Sequence, residues 1–285
     1  MDYHAIPINI RELTTYSELL DVQRLEKLIW NELPIPLHQT FTSIQNGGLM
    51  LGAYLNDQLV GISYSFAGFK NGRSYLCSHI LGIHPDYQEK GIGASLKKVQ
   101  KQKASELGYS LMTWTYDPLE SRNAYLNLSK LHAICRTYVV NCYGDMGDEL
   151  NAGLPSDRFK IEWWINSPYH NELKIMEENN NKSLFKIEKT EKGHPKLQNV
   201  TETLETILKK ESLEQVLVPV PIKFQQLKKE DFELSLDWRL KSREIFQTLF
   251  DHGFVAVALQ KNSENLVHDY VLVKENAINE PRVFN

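Results

Sequence analysis

Residues 88–93 read Gln-Glu-Lys-Gly-Ile-Gly, between an apolar run and an amphipathic stretch. Gly91 and Gly93 let a backbone come close to a ligand and adopt positive φ. A helix opening there would present unpaired N–H donors and about half a positive charge. The chemistry on offer is the grip of an anion, with a pyrophosphate as the natural guest. A Walker loop, Gly-x-x-x-x-Gly-Lys followed by Ser or Thr, is absent. A dinucleotide fingerprint, Gly-x-Gly-x-x-Gly, fails at its last position, which is Leu96. The pattern that does match is Gln/Arg-x-x-Gly-x-Gly/Ala. For these six residues alone, a helix start that binds nothing is the plainer alternative.

His79 lies in the apolar run leading to this loop, and an imidazole titrates in the range useful to a proton acceptor. The alternative is a strand histidine with structural partners only. A period of two puts Cys77 and Leu81 on its face and turns His84 away. No second ligand pair with structural-zinc spacing joins Cys77, His79 and His84, so no metal is expected. Cys77, Cys135 and Cys142 make no disulfide framework and read as reduced core thiols. Arg158 stands in SDRFKIEWWI beside Asp157 and Glu162. Arg239 and Arg243 are four apart, on one face of a helix. Each of the three could clamp a carboxylate with paired hydrogen bonds; a salt bridge or a solvated face is the alternative. Asp117, before Pro118, either orients an amine or forms a turn.

Several elements must hold these residues in place. A strand at 8–13 precedes a helix at 14–30 and a loop with Pro34 and Pro36. Asn56-Asp57 and Asn71-Gly72 are turn signals between strands. A strand at 74–83 runs into the glycine loop and a helix at 92–107, with Leu96, Val99 and Leu107 on one face and lysines on the other. Strand 111–116, helix 121–133 and strand 135–143 follow. Residues 176–185 are polar and asparagine-rich, as in a linker. Beyond lie a helix near 201–214, a strand at 216–222, a long helix near 230–251 and a hairpin, FVAVALQ with LVHDYVLVK. Pro219 and Pro221 place their strand at a sheet edge. The fold class expected is α/β (α+β), with a mixed, mostly antiparallel sheet flanked by helices and a C-terminal β-α-β-β extension. The domains expected are 1–166 and 167–285.

The chain has 285 residues, 42 % of them hydrophobic, with a net charge of −4. That composition builds a core and provides no basic field for nucleic acid. No apolar run approaches the roughly 20 residues that span a bilayer, and the N-terminus lacks a cationic start followed by an apolar stretch. Neither nucleic acid nor membrane is expected as a partner, and the location expected is cytoplasmic.

The stretch HILGIHPDYQEKGIGASLKKVQKQKASELGYSLMTWTYDP resembles the core of the GNAT superfamily, the acyl-CoA-dependent N-acyltransferases. The resemblance spans roughly residues 5–165 and is specific over about 80–125. It implies two splayed central strands, with acetyl-CoA or another acyl-CoA between them. By resemblance Gln88, Lys90, Gly91, Ile92, Gly93 and Ala94 form the pyrophosphate loop, and Leu81 and Ile83 lie beside the pantetheine arm. SRNAYLNLSKLHAI resembles a further family segment, in which Asn123 matches the asparagine that contacts the arm. The sequence departs from the family at Leu128, where many members carry a tyrosine acid, and at His132, where a glycine is usual. Tyr125, Tyr138 and Tyr143 are substitutes for that acid.

The reaction implied is direct attack of an amine on the thioester. His79 would be the base, with a backbone N–H near Ile83 facing the oxyanion. WTYDPLESRNAYLNLSKLHAI, YGDMGDELNAGLPSDRFKIEWWI and DWRLKSREIF resemble a bacterial subgroup of predicted acyltransferases, some linked to succinyl transfer onto amino acids. The acceptor expected is a small amine, with Asp117, Arg158, Arg239 and Arg243 as its readers. A non-catalytic CoA-binding module is the alternative function. The C-terminal third would serve acceptor binding or dimerisation, a homodimer being the simplest assembly.

Overall fold

Helix α1 (Tyr16–Trp30) starts where Thr15 accepts from the Glu18 N–H, and the Glu18 carboxylate reaches back to the Thr14 and Thr15 N–H groups at 3.0 and 2.9 Å. This reciprocal cap fixes the helix entry. It sets Leu19, Val22 and Leu25 against Met50, Ile62 and Tyr64 in one buried cluster. The computed structural model describes residues 8–144, 153–167, 183–210, 212–262 and 266–284. They fall into two units, residues 1–114 with 164–166, and residues 115–163 with 167–285.

In the first unit, β1 (Ile8–Glu12), β2 (Leu49–Leu55), β3 (Gln58–Lys70) and β4 (Arg73–Ile83) form an antiparallel run. Asn56 (φ 52°), Asn71 (φ 50°) and Gly72 (φ 74°) supply the left-handed turn conformations that the sequence signalled. A short helix, α2 (Leu37–Gln45), fills the segment read as a loop; its N-cap, Pro36, offers no side-chain hydrogen bond. Strand β5 (Leu111–Tyr116) lies parallel to β4, and only Leu76 with Met112 and Cys77 with Thr113 are paired there. Helix α3 (Ile92–Glu106) connects β4 to β5. Its buried face is Ile92, Leu96, Lys97, Gln100 and Ala104. The expected face of Leu96, Val99 and Leu107 is therefore rotated: Leu107 is exposed and Lys97 is inside.

In the second unit, β6 (Ile134–Val139), β7 (Arg158–Trp164), β10 (Gln215–Pro221), β11 (Phe254–Gln260) and β12 (Val267–Lys274) pair antiparallel in the order β7-β6-β11-β12-β10. A separate hairpin, β8 (Lys186–Lys189) with β9 (Pro195–Gln198), carries no strong strand pattern and escapes the sequence reading. The edge position of β10 agrees with its prolines. Helix α4 (Ser121–Ala124) widens into a π-turn over Tyr125–Lys130 and stops short of the expected residue 133. Helix α5 (Val200–Leu208) is shorter than expected. The expected helix near 230–251 is α7 (Phe232–Asp251), and a short helix not expected from the sequence, α6 (Phe224–Glu230), precedes it; Asp231 leaves the helical path between them and caps α7 by accepting from the Leu234 N–H at 3.1 Å. Phe159, Phe246, Phe250 and Tyr270 form the aromatic centre of this unit, with the Phe159 and Phe246 centroids 4.7 Å apart. Residues 176–182 of the expected linker lie outside the described residues.

Asp269 on β12 is a half-buried carboxylate beside this core. Burial pushes its carboxyl up to about 6 from 3.8, and its Oδ1 has no hydrogen-bond partner. A carboxyl whose folded pKa is raised contributes full stability below pH 4 and loses it as pH rises through about 6. Asp269→Asn is expected to match the parent protein near pH 4. At pH 8 it should be more stable, by up to about 3 kcal/mol. Urea unfolding at both pH values tests this, and an equally stable parent at pH 8 would refute it.

Candidate active site

Past Ile83 the chain makes a short turn over Pro85–Tyr87 and then enters left-handed conformations at Glu89 (φ 64°) and Gly91 (φ 80°). Gly91 is the N-cap of α3. It contributes no side-chain hydrogen bond, and no acidic residue stands in the first turn. The first intrahelical bond runs from the Ser95 N–H to the Gly91 carbonyl, 3.1 Å. The N–H groups of Ile92, Gly93 and Ala94 therefore lack intrahelical acceptors. Nothing lies within 4 Å of where a Gly91 Cβ would stand, and at Gly93 only Leu81 comes near, at 3.8 Å. The loop is held from outside the helix. Gln88 Nε2 donates to the Ile83 carbonyl at 3.3 Å, and Lys90 Nζ donates to the Asp86 carbonyl at 2.8 Å. Gln88, Lys90, Gly91 and Ala94 are exposed.

Strand β4 beyond Cys77 has no pairing with β5. The His84 N–H donates to the Val60 carbonyl on β3, 2.9 Å. By strand alternation the N–H groups of Leu81 and Ile83 point to the opposite, unpaired edge. The Leu81 and Ile83 side chains face α3: Leu81 lies nearest Gly93, and Ile83 meets Ile92 and Leu96 around Gly61. An arm entering beside β4 would thus find outward N–H groups within the strand and a ring of free N–H groups at its end.

His79 is the extra residue of a β-bulge, since Ile80 pairs with Tyr64 but Ser78 pairs with Ser65. One inserted residue reverses the parity of a strand. The expected common face of His79 and Leu81 is corrected accordingly: His79 lies against Tyr64 and Phe66, with centroids 6.0 and 5.6 Å away, on the α1 side, and Leu81 faces α3. Desolvation lowers the His79 pKa, so the imidazole is neutral at pH 7 and able to accept a proton. All three cysteines are free; Cys135 is buried, whereas Cys77 and Cys142 are half-buried. No cluster of His, Cys, Asp and Glu suited to a metal occurs among the described residues.

Beneath the same strand is a buried polar cluster, and in it Lys97, a lysine expected on the face opposite the apolar one. Lys97 Nζ donates to Ser78 Oγ at 2.8 Å and lies 3.8 Å above the Trp114 ring centroid. Gln100 Nε2 donates to Ser63 Oγ (2.8 Å), Ser78 Oγ (3.1 Å) and Ser65 Oγ (3.3 Å). Lys97, Gln100, Ser63, Ser65 and Ser78 are all buried. With no carboxylate in ion-pair contact among the described residues, burial lowers the Lys97 pKa to about 7. The available signal was its position, since residues 92, 96, 97, 100 and 104 form one helical stripe.

The remaining candidates belong to the second unit. Asn123 is exposed on α4, and Leu128 is fully buried. The Tyr125 ring receives Lys261 Nζ at 3.9 Å and Lys130 Nζ at 5.5 Å. Tyr138 donates to Asp157 Oδ2 at 2.7 Å, and burial followed by the Asp157 charge raises its pKa. The Tyr143 hydroxyl meets Thr115 Oγ1 at 2.7 Å, with Arg158 5.5 Å from its ring centre. Asp117 caps its own turn through the Leu119 N–H at 2.9 Å, and both terminal nitrogens of Arg239 hold it, with Arg158 Nη1 at 3.9 Å. Arg243 clasps Asp157 through Nε and Nη2, at 2.8 and 2.9 Å. Arg239 and Arg243 do form paired carboxylate clamps, and the carboxylates are the protein's own.

The strand order, the brief parallel β4–β5 contact and the glycine turn into α3 give this chain a mixed α/β fold, with a mixed sheet flanked by helices as expected. No family model matches the chain, and no curated protein matches it. Solved structures resemble part of it. One is the ribosomal-protein-S18-alanine N-acetyltransferase from Escherichia coli, 14 % identical, with a TM-score of 0.46, covering 61 % of this chain and 99 % of that one. Another is a GNAT family acetyltransferase from Elizabethkingia anophelis with acetyl-CoA bound, 18 % identical, with a TM-score of 0.43, covering 55 % and 97 %. A third is an aminoglycoside acetyltransferase from an uncultured soil metagenomic sample in complex with trehalose, 19 % identical, with a TM-score of 0.36, covering 41 % and 82 %. No helix among the described residues is long and apolar enough to cross a membrane.

Proposed function

We propose that the chain is an acyl-CoA-dependent N-acyltransferase that moves an acetyl or succinyl group to the amine of a small acceptor, an amino acid being one such acceptor. The observation carrying this reading is the uncapped, acid-free N-terminus of α3 behind Gly91, placed at the end of the unpaired edge of β4. The loop at 88–94 would take the pyrophosphate, and Leu81 and Ile83 would line the arm and offer N–H groups to the oxyanion. A neutral His79 would take the proton of the attacking amine. Tyr125, Tyr143 and Asn123 remain assigned by resemblance. Asp117, Arg158, Arg239 and Arg243 would act on an acceptor only by exchanging the contacts they make within the protein.

Calorimetric titration with acetyl-CoA and succinyl-CoA tests the site. Gly91→Val forces a β-branched residue to φ 80°, a conformation that costs an L-residue about 1–2 kcal/mol and displaces the loop. Losing one or two charge-assisted hydrogen bonds, each worth about 1.5–3 kcal/mol, predicts about 10–100-fold weaker binding. Gly93→Ala, which has room, should fold normally. Unchanged affinity in Gly91→Val would remove the loop from the site.

A non-catalytic CoA-binding module is the second reading. Leu128, the position matched to the family's tyrosine acid, is an apolar core residue with 0 % exposure. Tight CoA binding with no CoA release across a broad amine screen would favour it.

A further inference from the structure

We propose that Lys97 is the group that protonates the departing CoA sulfur, a catalytic role for a side chain on the α3 face of the sheet. The inference rests on the acyl-CoA reading above. Its basis is position. The last paired residues of β4 and β5 are Cys77 and Thr113. The next residue on each strand is Ser78 and Trp114, and these are the two that Lys97 Nζ touches, at 2.8 Å to Ser78 Oγ and 3.8 Å to the Trp114 ring centre. The ammonium therefore bridges the strands at the point where they part. Along β4 this point is about 16 Å from Ile83 and the anion loop, at about 3.3 Å per residue. A pantetheine arm anchored at the loop and laid along the unpaired edge would bring its sulfur towards it.

The surroundings suit that task better than a structural one. The groups facing Lys97 are Ser78 on β4, Trp114 on β5 and Gln100 on its own helix, with Ser63 and Ser65 of β3 behind Gln100 and the Cys77 thiol within electrostatic reach. Among the described residues none of these groups is a carboxylate, so the charge is unbalanced when no anion is present, and burying a cation in that state is costly. A thiolate forming beside it would supply the missing negative charge. The buried ammonium, held near pH 7, is also a more ready proton donor than an exposed lysine.

The step balances. The amine nitrogen bonds to the carbonyl carbon and yields its proton to His79. As the tetrahedral adduct collapses, the C–S electron pair passes to sulfur, which takes the proton from Lys97 Nζ. Free CoA leaves as the thiol, and solvent exchange returns a proton to Lys97 from the water that deprotonates His79.

Paired titrations with CoA and desulfo-CoA, which lacks the sulfur, test the assignment in the full chain. The parent protein is expected to bind CoA about tenfold more tightly than desulfo-CoA at pH 8. The ratio should fall towards one at pH 6, where the thiol keeps its proton. Lys97→Met should bind desulfo-CoA within about twofold of the parent and show no CoA preference at either pH, and Lys97→Arg should restore part of it. Equal binding of the two ligands by the parent, or a preference that survives in Lys97→Met with its pH dependence, would overturn the assignment alone. Failure of both ligands to bind the folded parent would overturn the acyl-CoA reading and the assignment with it. If Lys97→Met does not fold, the parent pH series and Lys97→Arg decide the matter, and a pH-independent ratio counts against it.

Discussion

Replacing His79 with alanine is expected to lower turnover about 100-fold or more, the usual contribution of a positioned general base, and to flatten the acidic limb of the pH–rate profile. The imidazole must be neutral to accept the amine proton. Burial against Tyr64 and Phe66 lowers its pKa below the ordinary 6.5. The rate should therefore fall as pH drops through a value under 6.5, and remain level from there to neutrality. The bulge is what aims the ring, because it places His79 on the α1 side while the adjacent Leu81 and Ile83 direct their N–H groups along the unpaired edge. His79→Ala leaves the backbone hydrogen bonds of β4 in place, so acetyl-CoA affinity should change little. The assay is CoA release with an amine that supports turnover in a screen. A variant with full kcat and an unchanged acidic limb would show that the base is elsewhere.

Removing the Glu162 carboxylate is expected to destabilise the protein by about 3–5 kcal/mol, the range for breaking a buried ion pair from one side. Arg136 and Glu162 both have side chains with no solvent exposure. Arg136 donates to Glu162 through Nε at 3.0 Å and Nη2 at 2.7 Å, to Glu275 through Nη1 at 2.6 Å, and to the carbonyls of Glu280 and Pro281 at 3.2 and 2.7 Å. All five guanidinium N–H donors thus have acceptors. Glu162→Ala leaves two of them without acceptors, and leaves only the partly exposed Glu275 carboxylate to balance the buried charge. Urea unfolding should show the loss. The double variant Arg136→Met with Glu162→Leu should recover much of it, because it removes the charge and its partner together. A loss under about 1 kcal/mol in the single variant would mean that Glu275 and the two carbonyls suffice.

The parts of this fold that were legible in the sequence are those set by short-range chemistry. Asn56-Asp57, Asn71-Gly72 and Gly91 each fix a turn or a helix start within a few residues, and each is where the pattern placed it. The site loop was legible for the same reason. What escaped depends on a count or on a partner far along the chain. The bulge at His79 changes parity by one residue and leaves no mark in the alternation of residue types. Lys97 was placed with the other lysines opposite the apolar face by its residue type, although its helical position points inward; Ser78, which receives it, is 19 residues away. Arg239 and Arg243 share a helix face as the spacing required, and no local rule could reveal that Asp117 and Asp157, more than 80 residues earlier, would meet them.

The prolines of β10 have a consequence for how copies of this chain meet. Leu217 turns its carbonyl away from β12, since Ser183 Oγ donates to it at 3.1 Å. Pro219 and Pro221 share the parity of Leu217, so their backbone nitrogens also face outward, and neither carries a proton. The rim of the sheet there offers oxygen acceptors with the matching donors deleted. A neighbour's strand could not zip onto it, because a ladder requires both groups in alternation. Crowding during synthesis therefore carries little risk of sheet-to-sheet polymerisation through this rim. A pairing of two chains through a shared strand ladder would have to use a rim other than this one.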